Sequence, residues 1–300
     1  MANPADVTVA LLTPVDEQGR VDHVSLERLV KRTLAGGVTG ISPLGSTGEG
    51  YSLPLSERLA ATDTVVRTVP DGTPVICGVF AHSHEQAIDE IAAYAERGAT
   101  GALLAPPSYY PLNAAEQRDY LTRVADGSAL PLIFYNIPAF TKVSLATAVL
   151  TELAAHPRVV GVKDSCKDFG YLTSLLDALA AAGVPAERFG VFTGTDAMLV
   201  ASLIAGARGT ICASANLVPE LPAGIAAAIA AGDLDEARRI ETRLRRIVTA
   251  CRLGGTPTGM KAAVAAAGIC DPWMVSPRRP LGDADRATLV ASLTDLGVLS

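Results

Sequence analysis

Two short apolar runs end in side chains suited to carbonyl chemistry. Residues 131–138 read Pro-Leu-Ile-Phe-Tyr-Asn-Ile-Pro, and residues 159–164 read Val-Val-Gly-Val-Lys-Asp. Each run is apolar and bounded by turn signals, and the connector between them is helix-like, which describes one strand, helix, strand unit of a parallel sheet. Tyr135 and Lys163 then end adjacent strands. Neighbouring strands lie about 4.8 Å apart, so a phenol and an amine leaving the same edge can meet over one small ligand. A lysine set among Val160, Val162 and an apolar interior loses hydration of its ammonium form, which favours a neutral amine able to form a Schiff base. The tyrosine beside it can shuttle protons. Taken singly, Lys163 is only a polar residue where a core strand surfaces, and Tyr135 says still less.

A parallel unit of this kind needs a larger frame. Eight strand candidates occur in order: residues 7–12, 38–44, 74–79, 101–105, 132–136, 159–163, 190–193 and 209–213. Helical periodicity separates them. Strict alternation over roughly 200 to 220 residues is the signature of a closed parallel (β/α)8 TIM barrel, whose active site lies at the carboxyl ends of the strands. Gly45, Pro106, Tyr135 and Lys163 all fall at such ends. After Val218 only helical patterns remain, over residues 222–231, 234–252, 258–267 and 284–293, broken at Gly232-Asp233 and Gly254-Gly255. Two domains are expected: a catalytic barrel over residues 1–221 and a C-terminal helical domain over residues 222–300.

The composition narrows the function classes. Of 300 residues 49% are apolar, enough for one large core, and the formal net charge is −6. An acidic chain with no basic stripe is not built for nucleic acid or an anionic membrane surface. Arg238, Arg239, Arg243, Arg245 and Arg246 are interleaved with Glu236 and Glu241 at helical spacing, which reads as a solvated face or a subunit contact. The five cysteines are scattered, with neither disulfide nor zinc spacing. A reducing, cytoplasmic setting is expected, because no basic segment precedes the short apolar run at residues 7–12.

Other stretches are less specific. Gly45-Ser46-Thr47-Gly48-Glu49-Gly50 offers small residues whose backbone N–H groups can line a concavity, with two hydroxyls beside them, a plausible cradle for a carboxylate. Phosphate fits less well, since no lysine ends the loop and Glu49 would repel a polyanion. Pro106-Pro107-Ser108-Tyr109-Tyr110-Pro111 places two phenols on a proline-stiffened loop, where covering a core edge is the plain alternative. His82, His84 and Glu85 lack the further ligands and helical spacing of a metal site, so no metal is assigned. Asp196, after Gly194-Thr195, reads as a helix N-cap.

Together these segments resemble the dihydrodipicolinate synthase and N-acetylneuraminate lyase superfamily, the pyruvate-dependent class I aldolases, across nearly the whole chain. The likeness rests on Gly45-Ser46-Thr47-Gly48-Glu49, Pro107-Ser108-Tyr109-Tyr110, Tyr135-Asn136-Ile137-Pro138, Gly161-Val162-Lys163-Asp164, Gly194-Thr195-Asp196 and Arg279-Pro280-Leu281, in that order. It implies a lyase that needs no cofactor, in which Lys163 forms an imine with pyruvate or another 2-oxo acid and Tyr135 is the general acid/base. It also implies that Ser46 and Thr47 bind the carboxylate, that the Ile211 carbonyl faces the imine, and that Ser46 joins a proton relay with Tyr135 and a tyrosine from a neighbouring subunit. Tyr109 is the candidate for that tyrosine, with Tyr110 one place away. The assembly implied is a homo-oligomer, dimer or homotetramer.

One departure bears on substrate. Synthases that condense pyruvate with aspartate semialdehyde usually have an arginine two places after the proline of the Tyr-Asn-x-Pro motif; here that residue is Phe140. An aromatic ring cannot replace a bidentate guanidinium. Ser46 in place of a threonine leans the same way. The substrate expected is therefore a 2-keto-3-deoxy sugar acid or related hydroxylated 2-oxo acid. The rivals are 4-hydroxy-tetrahydrodipicolinate synthase, a dehydratase outcome, and a barrel that binds a 2-oxo acid without turnover.

Overall fold

The computed structural model describes residues 5–299. Eight strands form its centre: β1 (Asp6–Ala10), β2 (Gly40–Ser42), β3 (Ile76–Val79), β4 (Gly101–Leu104), β5 (Leu132–Asn136), β6 (Val159–Asp164), β7 (Gly190–Thr193) and β8 (Gly209–Cys212). They pair in the order β2-β1-β8-β7-β6-β5-β4-β3, every pair parallel. The ring closes where Ile41 bridges Val75 and Gly78 N–H donates to the Pro43 carbonyl at 3.0 Å. This is the (β/α)8 barrel. β2 is shorter than its apolar run, because beyond Ser42 the chain turns off the sheet at Leu44, whose φ is +62°.

Strand alternation separates two apolar layers. Leu132, Phe134 and Val162 face the surrounding helices, while Ile133, Tyr135, Phe192 and Ile211 pack inside the barrel. Tyr135 therefore points inward because its neighbour Phe134 points outward. Three of the helices between strands start at clear side-chain caps: Asp22 accepts from Val24 and Ser25 N–H, Asn113 and Glu116 form a capping box, and Asp168 accepts from Gly170 and Tyr171 N–H.

Helix Glu220–Ala230 follows β8, packs on β1 and on helix Leu199–Ile204, and also packs along helix Leu234–Ala250. It thus serves as the eighth barrel helix and as the floor for the helices that follow, Leu234–Ala250, Thr258–Ala266 and Asp283–Asp295. A boundary at residues 221/222 falls inside it. Among the described residues no helix is long and apolar enough to cross a membrane.

Candidate active site

Sheet register brings Tyr135 and Lys163 together. Tyr135 on β5 pairs directly with Lys163 on β6. Lys163 Nζ lies over the Tyr135 ring, 4.4 Å from its centroid, and both residues are buried. An ammonium over a π face is held by the ring's quadrupole. Among the described residues Lys163 Nζ enters no salt bridge; it opens onto a cavity of about 170 Å³ whose wall includes Ser46, Thr47, Tyr135, Asp196 and Ile211. Gly194 makes this possible: a Cβ there would stand 2.9 Å from Lys163 Cε and 2.0 Å from Ser165 Oγ.

The residues next in sequence turn the other way and tie the strand ends. Asn136 Nδ2 donates to Asp164 Oδ1 at 2.7 Å, and Leu145 N–H donates to Asn136 Oδ1 at 3.0 Å. Burial pushes the Asp164 carboxyl up, against hydrogen bonds from Cys166 and Asn136. The Asn136–Asp164 bond staples β5 to β6 next to Tyr135 and Lys163, which limits how far the two side chains can drift.

Glu49 does not face the cavity as a repelling charge. Its backbone takes φ +55°, and its buried carboxylate accepts from Lys261 Nζ and from Val275 N–H, the latter at 2.8 Å. Lys261, on helix Thr258–Ala266, also donates to the Thr13 carbonyl at 2.9 Å, and Thr13 Oγ1 donates to the Gly48 carbonyl at 2.6 Å. Burial pushes the Lys261 ammonium down while Glu49 holds it up. The Ser46-Thr47 loop is therefore pinned from the segment after β1 and from helix Thr258–Ala266 at once. Gly50 is required at its turn, since a Cβ there would lie 1.9 Å from the Leu44 carbonyl oxygen. Glu49 and Gly50 N–H turn back to the carbonyls of Ser46 and Gly45, at 3.4 and 3.3 Å, whereas among the described residues no carbonyl takes the N–H of Ser46 or Thr47. Those two groups are available to a carboxylate.

Asp196 is not an N-cap. It is the first residue of a 3-10 turn, Asp196–Met198, whose capping residue is Thr195, and its own buried carboxylate accepts from Ser214 Oγ. The turn carries no side-chain cap; the Asp196 carboxylate is directed to Ser214 after β8 instead of back onto the turn's own N–H groups. Burial pushes it up, opposed by Ser214 and by the positive charge of Lys163. The Lys163 cavity thus contains a buried acid whose charge is coupled to the amine.

Lys163, Tyr135, Ser46, Thr47 and Ile211 converge on one cavity. Tyr109 stands apart. It is 81% exposed and packs edge-on against Tyr110, with ring centroids 4.9 Å apart, on the outer loop. Sequence reasoning missed Asp196, Lys261 and the contribution of Cys251, Thr256 and Met260 to the cavity wall. Lys261 had one signal: it is the lone charge in the otherwise apolar or small run Thr258–Ala266. Among the described residues no three His, Cys, Asp or Glu side chains are placed to hold a metal ion; His84 pairs with Glu85 at 3.0 Å.

The dihydrodipicolinate synthetase family model matches residues 3–296. The chain belongs to this family. It is 36% identical to the 4-hydroxy-tetrahydrodipicolinate synthase of Acidiphilium cryptum, covering 97% of this chain and 98% of that one. The same enzyme from Pelobacter propionicus is 32% identical, with 97% and 98% covered. Among solved structures, the dihydrodipicolinate synthase of Acinetobacter baumannii complexed with pyruvate superposes with a TM-score of 0.92 at 29% identity, covering 99% and 100%. A prophage protein of the dihydrodipicolinic acid synthase family from Escherichia coli K12, in complex with pyruvate, gives 0.92 at 27%, covering 98% and 99%. As a member of the dihydrodipicolinate synthetase family, the protein is a pyruvate-dependent lyase of the class I aldolase type.

Proposed function

We propose that the protein makes or breaks the carbon-carbon bond between a pyruvate-derived enamine and an aldehyde carbon, with a 2-keto-3-deoxy sugar acid or related hydroxylated 2-oxo acid as substrate. In cleavage, Lys163 Nζ attacks the C2 ketone and water leaves, giving a protonated imine that withdraws electrons from C3. Tyr135 accepts the proton of the C4 hydroxyl, the C3–C4 bond breaks, and its electron pair forms the enamine while the aldehyde departs. Reprotonation of C3 and hydrolysis return pyruvate and the free lysine. Ser46, Thr47 and their free N–H groups hold the C1 carboxylate, the Ile211 carbonyl faces the imine, and Asp196 offsets its positive charge. Tyr109, on its exposed loop, serves the relay of a neighbouring subunit. Dissociation of the assembly should therefore lower turnover with each barrel still folded; a fully active monomer in sedimentation under assay conditions would remove Tyr109 from the mechanism.

The observation that carries the substrate reading is Phe140, which lines the mouth of the Lys163 cavity where the resemblance predicts arginine in a synthase. A second reading, 4-hydroxy-tetrahydrodipicolinate synthase, is favoured by the names of the relatives. Catalytic efficiency on both substrate classes in the native enzyme and in Phe140→Arg separates them. The proposal expects poor condensation with aspartate semialdehyde, improved by the substitution; efficient native condensation that Phe140→Arg does not improve favours the second reading. Borohydride reduction with pyruvate, followed by intact mass, tests the chemistry itself: a mass increase on Lys163 is expected, and none would leave a barrel that binds without turnover.

A further inference from the structure

A second chamber adjoins the Lys163 cavity. It encloses about 320 Å³ against about 170 Å³, and the two share Ser46, Ile137, Phe140 and Thr256. A substrate whose ketone carbon sits at Lys163 and whose C1 carboxylate sits at Ser46-Thr47 has only this larger space for the carbons beyond the bond that breaks. Most of its wall is apolar or aromatic, with Tyr51, Phe80, Ile137 and Pro257 prominent.

The charges around this chamber are unequal. Glu49 lines it, but its carboxylate is already taken by Lys261 and by Val275 N–H. The lining cation is Arg278, contributed by the C-terminal domain. Its segment is held in place: Arg278 N–H donates to the Val275 carbonyl at 3.1 Å, and Val275 N–H in turn donates to Glu49 at 2.8 Å. The backbone that carries Arg278 is thus anchored to the same tie that pins the Ser46-Thr47 loop. Among the described residues Arg278 enters no salt bridge. Lys142, the other cation near Phe140 in sequence, lines neither cavity; its Nζ is exposed and donates to the Ala139 carbonyl at 3.0 Å. Lys167 and Arg252 line the smaller cavity instead.

We propose that this chamber is the subsite for the far end of the substrate and that Arg278 reads a terminal anion there, a carboxylate or a phosphate. The preferred substrate is then a hydroxylated 2-oxo acid with a second acidic group at the end remote from the ketone. Arg278 is exposed at the rim of the chamber, and its planar guanidinium suits either oxyanion in a bidentate contact. The proposal deepens the function proposed above and rests on it for the placing of the ketone at Lys163.

The test compares kcat/KM for three substrates that differ only at that end: 2-keto-3-deoxygluconate, 2-keto-3-deoxyglucarate and 2-keto-3-deoxy-6-phosphogluconate. At least one anion-ended substrate should exceed the neutral one, and which of them does so identifies carboxylate or phosphate. In Arg278→Gln the ratio of anion-ended to neutral-ended efficiency should fall by about 10- to 100-fold, mainly through KM. Arg278→Lys, which keeps the charge without the fork, should retain part of the ratio and carries the test should the first variant fail to fold. Imine trapping with pyruvate, which is too short to reach the chamber, reports whether the inner site is formed in each variant. A native preference for the neutral end, an unchanged ratio in Arg278→Gln, or a ratio lost in Arg252→Gln or Lys167→Gln instead would overturn the assignment. If none of the three is cleaved but aspartate semialdehyde is condensed, the function proposed above fails by itself. In that case a roughly tenfold rise in the semialdehyde KM in Arg278→Gln sustains the anion site, and an unchanged KM removes it.

Discussion

The two halves of the Lys163 cavity are held by different physics. On one side Tyr135 and Lys163 stand on adjacent strands, in direct register, with Asn136 and Asp164 bonded beneath them. On the other side Ser46 and Thr47 stand on a loop that leaves the sheet, and a buried ion pair to helix Thr258–Ala266 keeps the loop in place. The first half is rigid because backbone hydrogen bonds repeat along it. The second is rigid because one charge in a distant helix finds its partner. Damage to the strand pair should therefore abolish chemistry and spare the fold, whereas damage to the clamp should cost stability and substrate affinity together.

The sharpest way to break this contrast is Lys163→Ala. It should eliminate imine trapping and turnover, since the proposed mechanism makes the amine the covalent catalyst, while thermal unfolding stays close to that of the native chain. Residual turnover at the native rate would remove Lys163 from the mechanism. Tyr135→Phe keeps the ring beneath the amine and deletes only the proton carrier, so kcat should drop by about 10²- to 10⁴-fold with imine trapping retained. An unchanged kcat would make Tyr135 a packing residue.

The clamp should answer differently. Lys261→Met leaves the Glu49 carboxylate buried without its partner, which typically costs about 3 to 5 kcal/mol, read by denaturant unfolding, and KM for pyruvate should rise as the loop loosens. Adding Glu49→Gln to Lys261→Met removes the stranded charge and should restore most of the stability, because a buried ion pair is often no better for stability than neutral groups of similar volume. If the double variant also recovered the native KM, the pair would be structural only and the contrast between the two halves would disappear.

The smallest expected effect concerns pH. Burial raises the Asp196 carboxyl above its ordinary 3.8, so the folded state keeps this proton to higher pH than the unfolded chain does. Between 3.8 and the raised value, its contribution to stability is lost as pH rises, while the negative charge facing Lys163 is gained. Asp164 shifts in the same direction and adds to the stability slope. Turnover should thus show an acid limb above the ordinary aspartate range. Asp196→Asn should remove that limb and flatten the stability change; a limb that persists unchanged would assign it to another group.

How much of this was legible beforehand follows the same division. Alternation of apolar runs with helical periodicity pointed to the barrel, and the two-residue repeat of a strand decides which side chains face inward, so Tyr135 and Lys163 could be placed together from local pattern alone. The ends of β1 and β2 were less legible, because an apolar run continues past the last paired residue when the chain leaves the sheet still buried, as Leu11, Leu12 and Leu44 do. Asp196 was misread for a related reason: Gly194-Thr195-Asp196 has the composition of a cap, but a cap is a matter of where the carboxylate turns. Glu49 looked like a free loop charge until its partner, 212 residues away, was beside it.

What the sequence by itself determined, then, is everything that rests on neighbours along the chain: the strand and helix order, and the inward face that sets Tyr135 beside Lys163. Only the tertiary structure decided that Lys261 neutralises Glu49, that Ser214 donates to Asp196, and that Arg278 and Thr256, from the chain after the barrel, complete the walls of the barrel's cavities. The reason is physical. Periodicity and capping are short-range and leave a pattern within a few residues, whereas the pairing of buried charges depends on which surfaces meet when the C-terminal helices close over the barrel, and no local spacing records that.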